Sequence, residues 1–205
     1  MPKALASWRL FWVLALAETV AICAGLPAAD LHSRRGTDVI IIHSVRCALP
    51  LFVAAFTASS LARLWPSRGT RWLLSNRRYF GVAFAFGMGW HLSFVAYSML
   101  VLGRRLDRIS LTLDLIGLTF LIAMTLTSFR WASRHMSGAN WRRLHKAGVY
   151  VIWLLATYLY EVFARARHDI FDITALGILL LAGGLRAAAW WSQVRPLARQ
   201  QTQRL

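Results

Sequence analysis

The stretch RRYFGVAFAFGMGWH, Arg77 to His91, leads from two adjacent guanidinium groups through an apolar run to a single imidazole. At about 1.5 Å of rise per residue, His91 stands roughly 20 Å along that run if it is helical, near the middle of a hydrocarbon layer about 30 Å thick. An ionisable ring at such a depth needs a partner or a cofactor, which makes His91 a candidate functional residue by placement. His43 and Arg46 lie three apart near one end of an earlier apolar run, so a helix puts them on one face. Together they could present a ring nitrogen to a metal and a guanidinium to a carboxylate such as a haem propionate. The plain alternative is an ion pair between Arg46 and Glu161 or Asp114. His145 opens a later apolar run. Imidazoles on facing membrane helices are the usual holders of b-type haem.

The elements that must position these rings follow from composition. Of 205 residues, 58% are hydrophobic, mean hydropathy is +0.49, and several apolar runs reach about 18 residues with few charges. The chain therefore reads as an all-α membrane protein, a single domain over 1–205. Its spans fall at about 8–27, 39–62, 79–102, 109–129, 146–164 and 170–191. The first span has no small-residue cleavage site after a short apolar core, and it reads as a retained helix rather than a signal peptide.

The net charge of +16 does not indicate nucleic acid, because Lys and Arg fall in short loops between apolar runs rather than along one face of a soluble domain. Lys3, Arg9, the groups Arg63 to Arg78 and Arg130 to Lys146, and the tail Arg195, Arg199 and Arg204 lie on one side of the predicted bundle. The loops of the other side carry fewer cations, diluted by Asp30, Asp38, Asp107 and Asp169. The positive-inside rule then places both termini in the cytoplasm, as for a multi-pass protein of a bacterial inner membrane.

No G-x-G-x-x-G after a strand and no phosphate loop is present, so electrons or energy must come from a partner or from a membrane-soluble carrier. Cys23 and Cys47 belong to no C-x-x-C or C-x-x-C-H motif, which excludes covalent c-type haem; they could bridge, but two buried apolar thiols are the simpler state. Trp8, Trp12, Trp65, Trp72, Trp190 and Trp191 sit near span ends as interfacial anchors.

The stretch Arg77 to His91, followed two spans later by LTSFRWASRHMSGANWRRLHKAGVY, Leu126 to Tyr150, resembles the ferric reductase-like transmembrane domain. Within that family it is most similar to the haem-binding membrane subunits of bacterial methionine-sulfoxide reductase systems. Arg77, Arg78, Gly81, Phe84 and His91 match the first motif, and Thr127, Ser128, Trp141, Leu144 and His145 the second. The region from His43 through SLARLWP to Pro66 is similar more loosely. The resemblance implies a b-type haem, in one copy or two, and a membrane subunit of an oxidoreductase that carries electrons to a partner reductase, drawing them from a quinone or a partner's flavin. It also implies haem contacts at His91, His145 and Arg78.

The family has a second histidine about 13 residues after His145, and this chain has Tyr158 there, with Leu159 beside it. Three readings stay open. His43 replaces the missing ligand; or haem is five-coordinate on His91 with Tyr158 as a weak sixth ligand or hydrogen-bond donor; or haem is lost and the scaffold serves as a structural or assembly subunit.

The loop charges give a first prediction. A reporter active only in the periplasm, fused after Leu205, should be silent, and fused near Asp107 it should be active; the opposite pattern reverses the orientation.

Overall fold

The computed structural model describes residues 8–202, with side chains described through 194; Lys3 and the side chains of Arg195, Arg199 and Arg204 lie outside the described part. Its helices are α1 (Trp8–Ala24), α2 (Arg34–Leu64), α3 (Arg68–Leu100), α4 (Arg108–Thr127), α5 (Arg130–Ser133), α6 (Gly138–Arg167) and α7 (Ile170–Thr202), with one turn of 3₁₀ helix at Leu26–Ala28. Six of them are long and apolar enough to cross a membrane, as the hydropathy pattern predicts. Hydrocarbon offers no hydrogen bonds, so a spanning backbone must bond to itself.

Several helices begin well before the apolar runs do. Ser67 and Thr70 form a capping box that starts α3 eleven residues ahead of the predicted span. Ser137 accepts from Asn140 N–H to start α6, and Ser33 accepts from Gly36 N–H to start α2. Hydropathy marks what lies in lipid, whereas caps mark where the helix begins.

Spanning helices successive in the chain run in opposite directions, and contacts at the two ends show it. At one end Trp8 of α1 stacks on Phe129 at 5.5 Å and meets Tyr79 of α3 edge-on at 5.6 Å. At the other, the Arg34 guanidinium donates to the carbonyls of Leu102 and Gly103, Tyr97 Oη donates to the Leu31 carbonyl, and Arg104 pairs with Asp38. The first end holds the α2–α3 and α4–α6 connections. Helix α2 is central, packed along α3 and also against α1 and α7. Leu49, Phe52 and Phe56 of α2 meet Leu121 of α4, Ile152 and Tyr160 of α6, and Leu179 of α7. A smaller cluster joins Phe11 and Ala15 of α1 to Val82 and Ala83 of α3.

Arg46 takes different partners from those the sequence suggests. It pairs with Asp169 and, at 2.9 Å, with Asp172 on the first turn of α7; Arg167 reaches Asp172 at 3.3 Å. Glu161 is taken instead by Arg165 one turn along its own helix, and Asp114 makes no ion pair among the described residues. The α6–α7 turn closes at His168, whose backbone is left-handed at φ 53°, and so brings Asp169 and Asp172 to Arg46. Both cysteines are free thiols.

Asp172 is fully buried between two arginines, so Asp172→Ala leaves Arg167 without a carboxylate and Arg46 with Asp169 alone, and should cost on the order of 3 kcal/mol, read as a lower unfolding temperature of the purified protein in detergent. Asp169→Ala should cost far less, because that carboxylate reaches water. The Phe171 N–H, and then Arg46, hold the Asp169 carboxyl below the usual range. Its contribution is complete above about pH 4, the ordinary aspartate value, and is lost as pH falls through the lowered folded-state value.

Candidate functional site

Between α2, α3, α4 and α6, at the end that carries Trp8, lies a cavity of about 630 Å³. That volume falls in the usual range for cofactor sites, about 300–1,000 Å³. Its floor is apolar, with Phe52, Phe84, Leu121, Val149 and Ile152, and its mouth is cationic, with Arg77, Arg78, Arg130, Arg142 and Lys146. Gly81 faces this space, and a Cβ there would meet nothing within 4 Å. Gly148 has the opposite role: a Cβ would lie 2.6 Å from Met124 Sδ, so its absence lets α4 and α6 close on each other below the cavity wall.

His145 supplies the cavity's one imidazole. Its Nε2 lies 3.0 Å from Thr127 Oγ1, and that hydroxyl gives its own proton to the Ala123 carbonyl at 2.7 Å. Thr127 Oγ1 must therefore accept from His145 Nε2–H, which leaves Nδ1 unprotonated. Trp141 flanks the ring at 4.3 Å between centroids and is fixed by its own Nε1–H to the Thr127 carbonyl. The Thr127 and Trp141 positions that accompany His145 in the sequence motif thus hold its ring in place.

The cations of the cavity lack anions. None of Arg77, Arg78, Arg130, Arg142, Lys146 and Arg186 joins an ion pair among the described residues. Arg78 stacks over Trp8 at 5.4 Å, and its buried Nε has no hydrogen-bond acceptor. Arg186 reaches in from α7, donating to the Phe56 carbonyl and to Tyr150 Oη. The sequence reading passed over Arg186, although a lone cation well inside the last apolar run was a usable signal.

The remaining candidates stand elsewhere. His91 does not line the cavity; it lies thirteen residues beyond Arg78, about 20 Å up α3. Its Nδ1 is 3.2 Å from the Ile41 carbonyl and 3.3 Å from Ser44 Oγ, whose hydroxyl proton goes to that same carbonyl. Nδ1 is therefore the protonated nitrogen, and Nε2 makes no hydrogen bond among the described residues. Such a carbonyl bond to the far nitrogen is the common way of orienting a ligating imidazole.

His43 turns to α1. Its Nε2–H donates to the Ala21 carbonyl at 2.8 Å, the ring fills the space beside Gly25, and Cys47 Sγ lies 3.6 Å away. Arg46 faces α7, where it pairs with Asp169 and Asp172, so the two do not converge on one ligand. Tyr158 is 51% exposed on the outside of α6. Thirteen residues at about 100° each put it some 140° around the helix from His145, whereas Leu159 continues the His145 face. Glu18 is buried, with its carboxylate against Gly87 and neither oxygen hydrogen-bonded. No group of three or more His, Cys, Asp or Glu side chains converges on a metal-sized site among the described residues. What the structure does assemble is one imidazole and several uncompensated guanidinium groups on one apolar cavity, a donor set suited to a metal-bearing cofactor with acidic side groups.

Comparison with known proteins adds an independent line. No family model and no solved structure matches the chain. The protein-methionine-sulfoxide reductase haem-binding subunit MsrQ of Yersinia pseudotuberculosis serotype O:1b is 34% identical over 188 residues, covering 86% of this chain and 84% of that protein. MsrQ of Yersinia pestis strain Pestoides F is also 34% identical over 188 residues, covering 86% of this chain and 82% of its own length. With identity at that level over nearly the full length of both partners, and six membrane-crossing helices of the expected order, the chain belongs to the MsrQ family.

Proposed function

We propose that this chain is a haem-binding membrane subunit that carries single electrons to a partner reductase, and that the cavity beside His145 is a haem site. The observation that supports this most directly is the combination of an imidazole, an open face at Gly81 and an orphaned buried guanidinium nitrogen on Arg78 in one cavity. The MsrQ relatives are named for haem binding, and the residues here suit the group. Bound haem b would supply a one-electron couple, its potential set by the axial ligand and the surrounding dielectric.

The chain's own residues then have separable tasks. His145 would hold the group through its unprotonated ring nitrogen, and Thr127 and Trp141 hold its ring. Arg78, with Arg77 and Arg186 near it, offers positive charge to propionates. Phe52, Phe84 and Leu121 keep the floor dry. His91 stands roughly 20 Å from the level of Arg78, too far to share an iron with His145, so it is proposed as the ligand of a second haem nearer the other end. His43, Arg46 and Tyr158 are left with the contacts described above. We place the basic end and both termini in the cytoplasm of a bacterium, with a quinone or a partner's flavin as the source of electrons. The haem-free scaffold reading gives no reason for an apolar-floored cavity ringed by cations that join no ion pair among the described residues.

Purified protein from haem-replete cells should show a Soret band. His145→Ala should remove the haem of the cavity, and His91→Ala should remove a distinct second share with its own reduced spectrum. Full haem content in His145→Ala would overturn the cavity assignment, and a colourless wild type would overturn the haem reading itself.

A further inference from the structure

Two carboxylates are buried among the described residues, Asp172 between its arginines and Glu18 with no partner at all. Glu18 lies within the span of α1, 5% exposed, and neither of its oxygens meets a hydrogen-bond donor. Its head group is seated against Gly87 of α3, where a Cβ would stand 1.7 Å from Oε1, so a glycine is what leaves room for it. Nothing around it balances a charge. On α1 no other titratable residue stands between Arg9 and Cys23, and on α3 none stands between Tyr79 and His91. From α2 the free thiol of Cys47 comes within electrostatic reach, and His43, whose Nε2 is 3.6 Å from Cys47 Sγ, follows one turn on. Arg46, next to Cys47 in the chain, is turned to α7 and paired with Asp169 and Asp172.

Helix packing does not account for an acid there. Trp90 already ties α3 to α1 through its Nε1–H to Thr19 Oγ1, and Phe11 and Ala15 pack on Val82 and Ala83. An ionised carboxylate without donor or counter-charge is costly in such a place, so the chain alone accommodates the protonated form. Gly87, however, stands one turn of α3 before His91, about 6 Å along the axis, which brings the carboxyl close to the level of the iron proposed for His91. A ferric porphyrin core carries one positive charge and a ferrous core none. Over such a distance, in a medium of low dielectric, that difference acts strongly on a carboxylate.

We infer that Glu18 is the proton site that balances the electron arriving beside His91. This rests on the haem reading, in that the charge deciding the state of Glu18 is that of the iron proposed for His91. While that iron is ferric, Glu18 is ionised and supplies its counter-charge. When one electron makes it ferrous, Glu18 takes one proton from water and a carboxyl O–H bond forms; nothing else is oxidised or reduced. The proton leaves again when the electron passes to the partner reductase. Cys47 and His43 line its route, a polar seam between α1 and α2 that leads from Glu18 to the turn at Gly25. The interior thus keeps one net charge through the cycle, which hydrocarbon surroundings favour.

The test is a spectroelectrochemical titration of the full chain in nanodiscs at several pH values, read on the haem share that His91→Ala removes. In the wild type the midpoint of that share should fall by up to about 59 mV for each tenfold drop in proton concentration. Glu18→Gln, which keeps the side chain's shape, should hold the same haem and a midpoint indifferent to pH. Infrared difference spectra should show a carboxylic acid C=O band that appears on reduction and is absent from Glu18→Gln. Glu161 is the other glutamate of the sequence, so ¹³C-glutamate labelling of Glu161→Gln assigns the band with Glu18 intact, even where Glu18→Gln does not assemble. A wild-type midpoint indifferent to pH, an unchanged pH dependence in Glu18→Gln, or a band that does not shift with the label would each overturn the proposal. Haem-free protein separates the two readings: with no iron to balance it, Glu18 should show the acid band at every pH, and a band that titrates away near neutrality sinks this inference whatever becomes of the haem.

Discussion

Hydrocarbon cannot hydrogen-bond, and the architecture of this chain follows from that single constraint. It forces the backbone into helices, and it also fixes what polar side chains may do between them. His43 donates to the Ala21 carbonyl, His91 to the Ile41 carbonyl and His145 to Thr127, so each imidazole has a defined tautomer set by a neighbouring helix. In all three the second ring nitrogen makes no hydrogen bond among the described residues, and the rings differ in their surroundings: His43 holds α1 and sits packed against Gly25, whereas His145 lines the cavity.

Six spans and their order were legible because a bilayer-crossing segment must be apolar along its whole length, a requirement that composition records directly. The helix starts were not, because Ser67 and Ser137 act through local capping geometry in polar sequence that hydropathy discounts. His145 and Arg78 stand out through their motif neighbours, and the structure gives those neighbours, Thr127 and Trp141, a physical role. Tyr158 shows the limit of counting along a chain: thirteen residues past His145, it is exposed on the outside of α6 rather than on the His145 side. The same holds for Arg46. Its partners come from a turn that reverses at His168, and no periodicity within α2 carries that information.

The cavity and the ion cluster at the opposite end divide the molecule's charges in contrasting ways. Around Asp172 the arginines are neutralised, and the cluster ties α2 to the α6–α7 turn. Around the cavity they are left uncompensated, at a cost in self-repulsion that a purely structural design would avoid. Stability resides where charges cancel, and function is proposed where they do not.

The Arg46–Asp172 contact joins residues 126 positions apart, and this has a bearing on biogenesis. A chain inserted from its N-terminus must hold Arg46 near the edge of the bilayer through the synthesis of four further helices before its counter-ions emerge. At roughly 5–20 residues per second that interval is on the order of ten seconds. The last helix thus acts as the latch of the bundle, since the buried carboxylate that neutralises Arg46 sits on its first turn.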